Sequence, residues 1–190
     1  MAFAASDTNS FAQGNPGYLS VEFAHFHAVR RRQPLQADRG VPMLLMVDAI
    51  REDGQPPEHI WPYLPALPSP ISTWAPPLNC APLFRHPMVI KTPEFSNIVA
   101  ALNEGQPVLF ATTISAQFYR PPLDYIIGNA ALDTPVGNHA LVAVGHGVAE
   151  GEPAILVRNS WGESWGDKGH AWVTESYLKF RLLNIAVPFV

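Results

Sequence analysis

Cysteine is almost missing: Cys80 stands alone among 190 residues. No intrachain disulfide can form, and the chain does not read as a disulfide-stapled secreted domain. Charge is sparse too, at 15% of residues with a formal net charge of −4. Phosphate binding rests on clustered Lys and Arg, so no nucleic-acid partner is expected. The single basic run, Arg30 to Arg32, falls at the end of a predicted helix, where it reads as a solvated cap favoured by the helix dipole. Long apolar runs are absent as well. Nothing approaches the roughly 20 residues that cross a bilayer, so no membrane partner is expected. The first residues lack the charged-then-apolar order of a secretory signal, which says nothing of residues before Met1. A reducing compartment such as the cytoplasm is compatible with these absences, and nothing fixes the localisation or the oligomeric state.

Metal-ligand spacing is missing too. His25 and His27 lie two apart on a predicted helix and do not share a face. His59, His86, His146 and His170 have no ligand spacing and few acidic or thiol companions. No metal and no cofactor is expected. Asp48, Glu52 and Asp53 close a helix that already has a glycine stop, so they read as a solvated face rather than paired catalytic carboxylates.

Hydrophobic residues are plentiful at 47%, enough for one domain or two small lobes with a real core. The alanine-rich opening MAFAASDTNSFAQG reads as a helix missing its own start signal, with Phe3 and Phe11 able to face a core and Gly14 and Pro16 stopping it. Ser20 precedes a second amphipathic helix carrying Phe23, Phe26 and His27. A third starts at Pro42, turns Met43, Leu44, Met46, Val47 and Ile50 inward, and ends at Gly54. Prolines then crowd Gln55 to Pro87, pinning the backbone into turns and extended pieces. A helix around Glu94 to Asn103 leads into the strand PVLFATTIS, and HALVAVGHG, PAILVRNSW and GHAWVTES follow as three more strand-like runs. The expected organisation is a helical lobe over 1–60, a proline-rich crossover over 61–92 and a sheet lobe over 93–190.

Two segments hold the chemistry: GNHALVAVGHG with His139, and VRNSWGESWGDKGHAWV with Asn159. On consecutive strands joined near Gly151, the Asn159 carboxamide can hold one imidazole nitrogen while the other stays open, which is how a general base is oriented. Trp161, two residues on, is expected on the same strand face, shielding that bond from water. Gly162, Gly166 and Gly169 allow the turns that return the chain beneath it.

In this order the two segments closely resemble the papain family of cysteine peptidases. Asn138 to Ala140 and Val144 to Gly147 are similar to that family's Asn-His-Ala and Val-Gly-Tyr-Gly, with His146 where tyrosine is usual. Asn159 to Gly166 matches Asn-Ser-Trp-Gly-x-x-Trp-Gly throughout. Weaker similarity at Leu19 and Ser20, at Trp61 to Tyr63 and at Pro107 to Thr113 extends the resemblance over roughly Met1 to Leu178.

The resemblance implies an α+β papain-like fold of two lobes, an N-terminal helical one and a C-terminal antiparallel sheet or small barrel, with the active-site cleft between them. It also implies a Cys-His-Asn mechanism on a peptide or protein substrate. His139 and Asn159 would be catalytic and Trp161 supporting. Met1, Ala2 and Phe3 look like the residues that follow the family's nucleophilic cysteine. That cysteine is therefore expected immediately before Met1, and the oxyanion-hole glutamine further upstream. A thiol at a helix N-terminus beside an imidazolium is activated, whereas Cys80, in PPLNCAPL with no helix after it, is not. Ser6 and Ser160 have no expected place against His139. Two rival readings are a catalytically inactive papain-like protein that binds peptides, and an inert product of a misplaced start.

Overall fold

The computed structural model describes residues 1–14, 16–34, 36–128 and 134–189. It divides into two compact units, one of Met1–Met88 with Pro188–Val190 and one of Val89–Val187.

The first unit is built on three helices, α1 (Ala2–Ala12), α2 (Val21–Arg30) and α3 (Met43–Glu52). Ser20 caps α2, its hydroxyl accepting the Phe23 N–H at 3.1 Å, which supplies one of the helix's orphan donors with a partner. Helix α1 has no side-chain cap and buries an unexpected face. Phe3 and Phe11 are exposed, and Ala4, Ala5, Ser6, Thr8 and Asn9 go inside. The reason is a polar network centred on Gln55. Its Nε2 donates to Ser6 Oγ at 3.0 Å and to the Ser20 carbonyl at 2.9 Å, and its Oε1 accepts from Asn9 Nδ2 at 2.9 Å. Buried polar groups need such partners, and only the small side of α1 lets them approach. On α3, Met43, Met46, Val47 and Ile50 are buried, but Leu44 is exposed.

The acidic end of α3 is not a free solvated face, nor is the basic end of α2 a free cap. Asp53 Oδ1 lies 3.1 Å from His27 Nδ1, and Arg31 pairs with both Asp53 and Glu52. Those charges tie the two helix ends together.

In the second unit the strands β1 (Met88–Lys91), β2 (Val108–Ile114), β3 (Ile126–Ile127), β4 (Gly137–Ala149), β5 (Glu152–Arg158), β6 (His170–Thr174) and β7 (Leu182–Pro188) form one open sheet, ordered β1-β7-β2-β4-β5-β6-β3. It is not a closed barrel, and the β3–β6 pair is parallel. Three short helices, α4 (Phe95–Asn103), α5 (Ala116–Tyr119) and α6 (Glu175–Leu178), complete the unit.

Strand pairing carries the core face straight to the chemistry. Opposed residues in an antiparallel pair share a face and successive ones alternate. Val108, Phe110 and Thr112 on β2 stand opposite Ala143, Leu141 and His139 on β4. The first two pairs lie in the buried cluster with Ile155 and Val157 of β5, and the third pair is where that apolar face ends in polar groups.

Candidate active site

His139 follows Leu141 and Ala143 in strand parity, and Asn159 follows Ile155 and Val157, so both project from the core face at one rim of the sheet. Asn159 lies one residue beyond β5, its N–H donating to the Gly169 carbonyl at 2.9 Å. That contact exists because 159–169 folds back on itself. Gly166 has φ +58 and its missing Cβ would sit 2.0 Å from the His170 carbonyl oxygen, while Gly169 has φ +85, conformations that glycine tolerates best.

His139 Nε2 and Asn159 Oδ1 are 2.8 Å apart. The Ser160 backbone N–H also donates to Asn159 Oδ1, at 2.8 Å. A backbone N–H can only donate, so the atom it faces is the carboxamide oxygen, and that oxygen can only accept. His139 must therefore carry its proton on Nε2 when neutral, which leaves the Nδ1 lone pair as the ring's basic site. Burial pushes the His139 pKa below the ordinary imidazole value, and the bond to Asn159 opposes that shift. Burial thus favours the neutral ring, whose acceptor atom is Nδ1.

Aromatic rings close around this pair. The Trp161 indole lies 4.5 Å from the His139 ring, tilted by 36°. It comes from the turn after Asn159 rather than from the strand, so the contact does not arise from shared strand parity. The Phe118 ring makes T-shaped contacts with His139 at 5.9 Å and with Trp161 at 5.9 Å, and Trp165 meets Trp161 at 90°. The Trp165 indole N–H donates to the Phe118 carbonyl at 2.8 Å, and Tyr119 stacks on Trp161. Sequence reasoning gave no role to Phe118, Tyr119, Trp165 or the Ser160 N–H. The signal available was the Phe-Tyr pair shortly after a strand and the second tryptophan of the Asn159 motif.

Other candidates lie elsewhere. Cys80 Sγ donates to the Pro77 carbonyl at 3.2 Å, and burial pushes its pKa up, the reverse of an activated thiol. The Ser6 hydroxyl is engaged by Leu19 and Gln55. His146 Nε2 lies 2.9 Å from Asn103 Oδ1 on an exposed part of the sheet. Among the described residues, no group of His, Cys, Asp and Glu is gathered that could hold a metal ion.

Residues 84–182, just over half of the chain, match the model of the papain family cysteine protease. This chain belongs to the papain family. Its members are peptidases, so peptides and proteins are the substrates of the family. The papain-family chain is 61% identical over 33 residues to the thiol protease aleurain of Arabidopsis thaliana, a stretch covering 17% of this chain and 9% of that relative. It is 41% identical over 61 residues to cathepsin K of Mus musculus, covering 32% and 18%. The matched segments thus span less than a fifth of either relative. The fold of xylellain, a cysteine protease from Xylella fastidiosa, superposes with TM-score 0.76 at 18% identity over 98% of this chain and 77% of that one. Digestive procathepsin L 3 of the Tenebrio molitor larval midgut gives TM-score 0.73 at 16% identity over 100% and 62%. At such identities the likeness establishes a papain-like α+β fold.

Proposed function

We propose that this chain supplies the base and the orienting carboxamide of a cysteine peptidase that hydrolyses peptide bonds. The observation that carries the reading is the 2.8 Å bond from His139 Nε2–H to Asn159 Oδ1, whose direction the Ser160 N–H fixes. It leaves Nδ1 of a neutral ring as the proton acceptor. In the proposed cycle Nδ1 takes the proton of a thiol, and the sulfur attacks the scissile carbonyl carbon. The C–N bond then breaks, the imidazolium proton passes to the leaving amine, and a thioester remains. Water attacks the thioester and gives a proton to Nδ1. The C–S bond breaks, the acid is released, and the sulfur recovers its proton. Asn159 holds the ring plane throughout, and Trp161 keeps water from the bond that holds it. Cys80 is not that thiol, and the resemblance puts the nucleophile at the position before Met1.

The test is to express the chain extended by the in-frame codons preceding Met1 and to assay a mixed fluorogenic peptide library. Hydrolysis that His139→Ala lowers by about 10²- to 10⁴-fold is expected. Activity indifferent to that substitution refutes the mechanism.

A second reading, a peptide-binding module on an inactive peptidase fold, draws on one observation: burial raises the pKa of the sole thiol in the sequence. It expects slow reaction of the extended chain with thiol-directed electrophiles together with saturable peptide binding.

A further inference from the structure

Trp161 shields the bond that orients His139, and its own place is set by ring contacts rather than by a strand. It sits in a turn with Gly162 next to it at φ +86, and 36% of its surface is exposed. Its edge contacts come from Phe118 and Trp165, both buried in the core. Neither lies parallel to the indole, and His139 itself is tilted by 36° against it. Tyr119 differs: its ring lies parallel to the indole within 3°, at 5.2 Å between centroids. Although 54% exposed, it is firmly mounted. At the start of α5 the Ser115 N–H donates to the Tyr177 hydroxyl oxygen at 2.9 Å, and at its end the Phe118 carbonyl accepts from Trp165 Nε1 at 2.8 Å. A half-exposed aromatic adds little to the core, and among the described residues the one ring that Tyr119 meets is Trp161.

We infer that Tyr119 is a positioning residue for the hydrolytic site: by stacking on Trp161 it holds the indole over the His139–Asn159 hydrogen bond and so keeps water off the imidazole Nε2–H. Tyr119 touches neither substrate nor the reacting atoms in this role. The inference rests on the reading of His139 as the oriented base. It concerns the ring of Tyr119 and not its hydroxyl, since a parallel stack is made by the π-face.

The experiment uses the chain as it stands, labelled with ¹⁵N-histidine, and reads solvent exchange of the His139 Nε2 proton at a pH where the ring is neutral. Wild type is compared with Tyr119→Ala, Tyr119→Phe and Trp161→Ala, with circular dichroism to show that each is folded. Stacking of this kind shifts populations by roughly three- to tenfold, and Tyr119→Ala is expected to speed exchange by that factor. Tyr119→Phe should exchange like wild type, and Trp161→Ala at least as fast as Tyr119→Ala. Exchange in Tyr119→Ala at the wild-type rate, while Trp161→Ala is fast, overturns the role of Tyr119 and leaves the base reading standing. A Tyr119→Phe protein as fast as Tyr119→Ala overturns it as well, because the hydroxyl would then be the cause. A wild-type Nε2 proton with no sign of a hydrogen bond, unaffected by Trp161→Ala, sinks the base reading itself.

Discussion

Two histidines of this chain each lean on a side-chain oxygen, and they do opposite things with it. His139 gives its Nε2 proton to a carboxamide and keeps Nδ1 as an acceptor. His27 places Nδ1 3.1 Å from the Asp53 carboxylate, and its Nε2 is buried without a hydrogen-bond partner, with Phe23 and Phe26 packed on the ring. Both have pKa values below the ordinary imidazole value, and burial is the first cause of each. At His27 the attraction of Asp53 is countered by Arg31 and Arg30, so the carboxylate serves the guanidinium and the imidazole stays neutral as a strut between helix ends. At His139 the orienting group is a neutral carboxamide, so no attraction to a carboxylate holds a proton on the ring, and Nδ1 is left as the acceptor. A carboxylate partner alone is therefore a poor sign of catalysis. What counts is whether the second ring nitrogen is left as a usable acceptor.

The comparison breaks most visibly at Asp53. Asp53→Ala leaves Arg31 with Glu52 as its one carboxylate beside the His27 carbonyl, and takes the acceptor from the His27 ring. For pairs whose side chains are about a quarter exposed, a loss of about 1–3 kcal/mol in unfolding stability is expected after allowing for solvent screening. Urea denaturation measures it, and the His139 ring signals should stay where they are. A stability unchanged within error would mean that the network is not a strut.

Asn159→Asp sharpens the contrast from the other side, because it gives His139 the kind of partner that His27 has. An opposite charge at hydrogen-bond distance favours the imidazolium. The His139 titration midpoint should move from below the ordinary imidazole value to above it, read from ring carbon-bound proton shifts. A midpoint that stays low would show that burial alone governs the ring and that the neutrality of Asn159 is incidental.

Much of this arrangement was legible in the residues themselves. Ser20 announced α2, the alternating and β-branched runs announced β2, β4, β5 and β6, and two short motifs named His139 and Asn159. Features set by distant partners were not legible. Helix α1 turned its small face inward because Gln55, far along the chain, needed Ser6 and Asn9. Phe3 and Phe11 carry no local mark of that. Strand β7, LLNIAVP, shows no clean alternation, and the two-residue β3 is defined only by its pairing with β6. The rings around Trp161 come from α5 and from the 159–169 turn, so no single window of sequence contains them. Strand parity explains His139 and Asn159; Trp161 reaches the same place through a turn.

The smallest expected effect is also the most direct reading of how the two histidines are buried. A group whose folded-state pKa is depressed binds fewer protons when folded than when unfolded, so the stability it contributes is complete above the unfolded value and is lost as pH falls toward the folded one. His139, His27 and His25 all have depressed values, burial being the first cause in each case. Unfolding stability should therefore decline as pH drops below about 6.5, the ordinary imidazole value. Glu152 acts in a lower window: burial pushes its pKa up, but bonds from Ser176 bring it below its ordinary 4.5, so it adds to the decline only beneath that value. Between the two windows the slope of stability against pH comes from the histidines together with the Met1 amino group, which burial also pushes below its ordinary value. His139→Gln removes one share of that slope and His27→Gln another, measured as the change in urea midpoint between pH 6.5 and pH 5. Slope is the quantity to compare, because each substitution also loses a hydrogen bond that lowers stability at every pH. If His139→Gln leaves the slope intact, His139 is not held neutral by the fold, and the distinction between an oriented base and a buried strut fails at its first term.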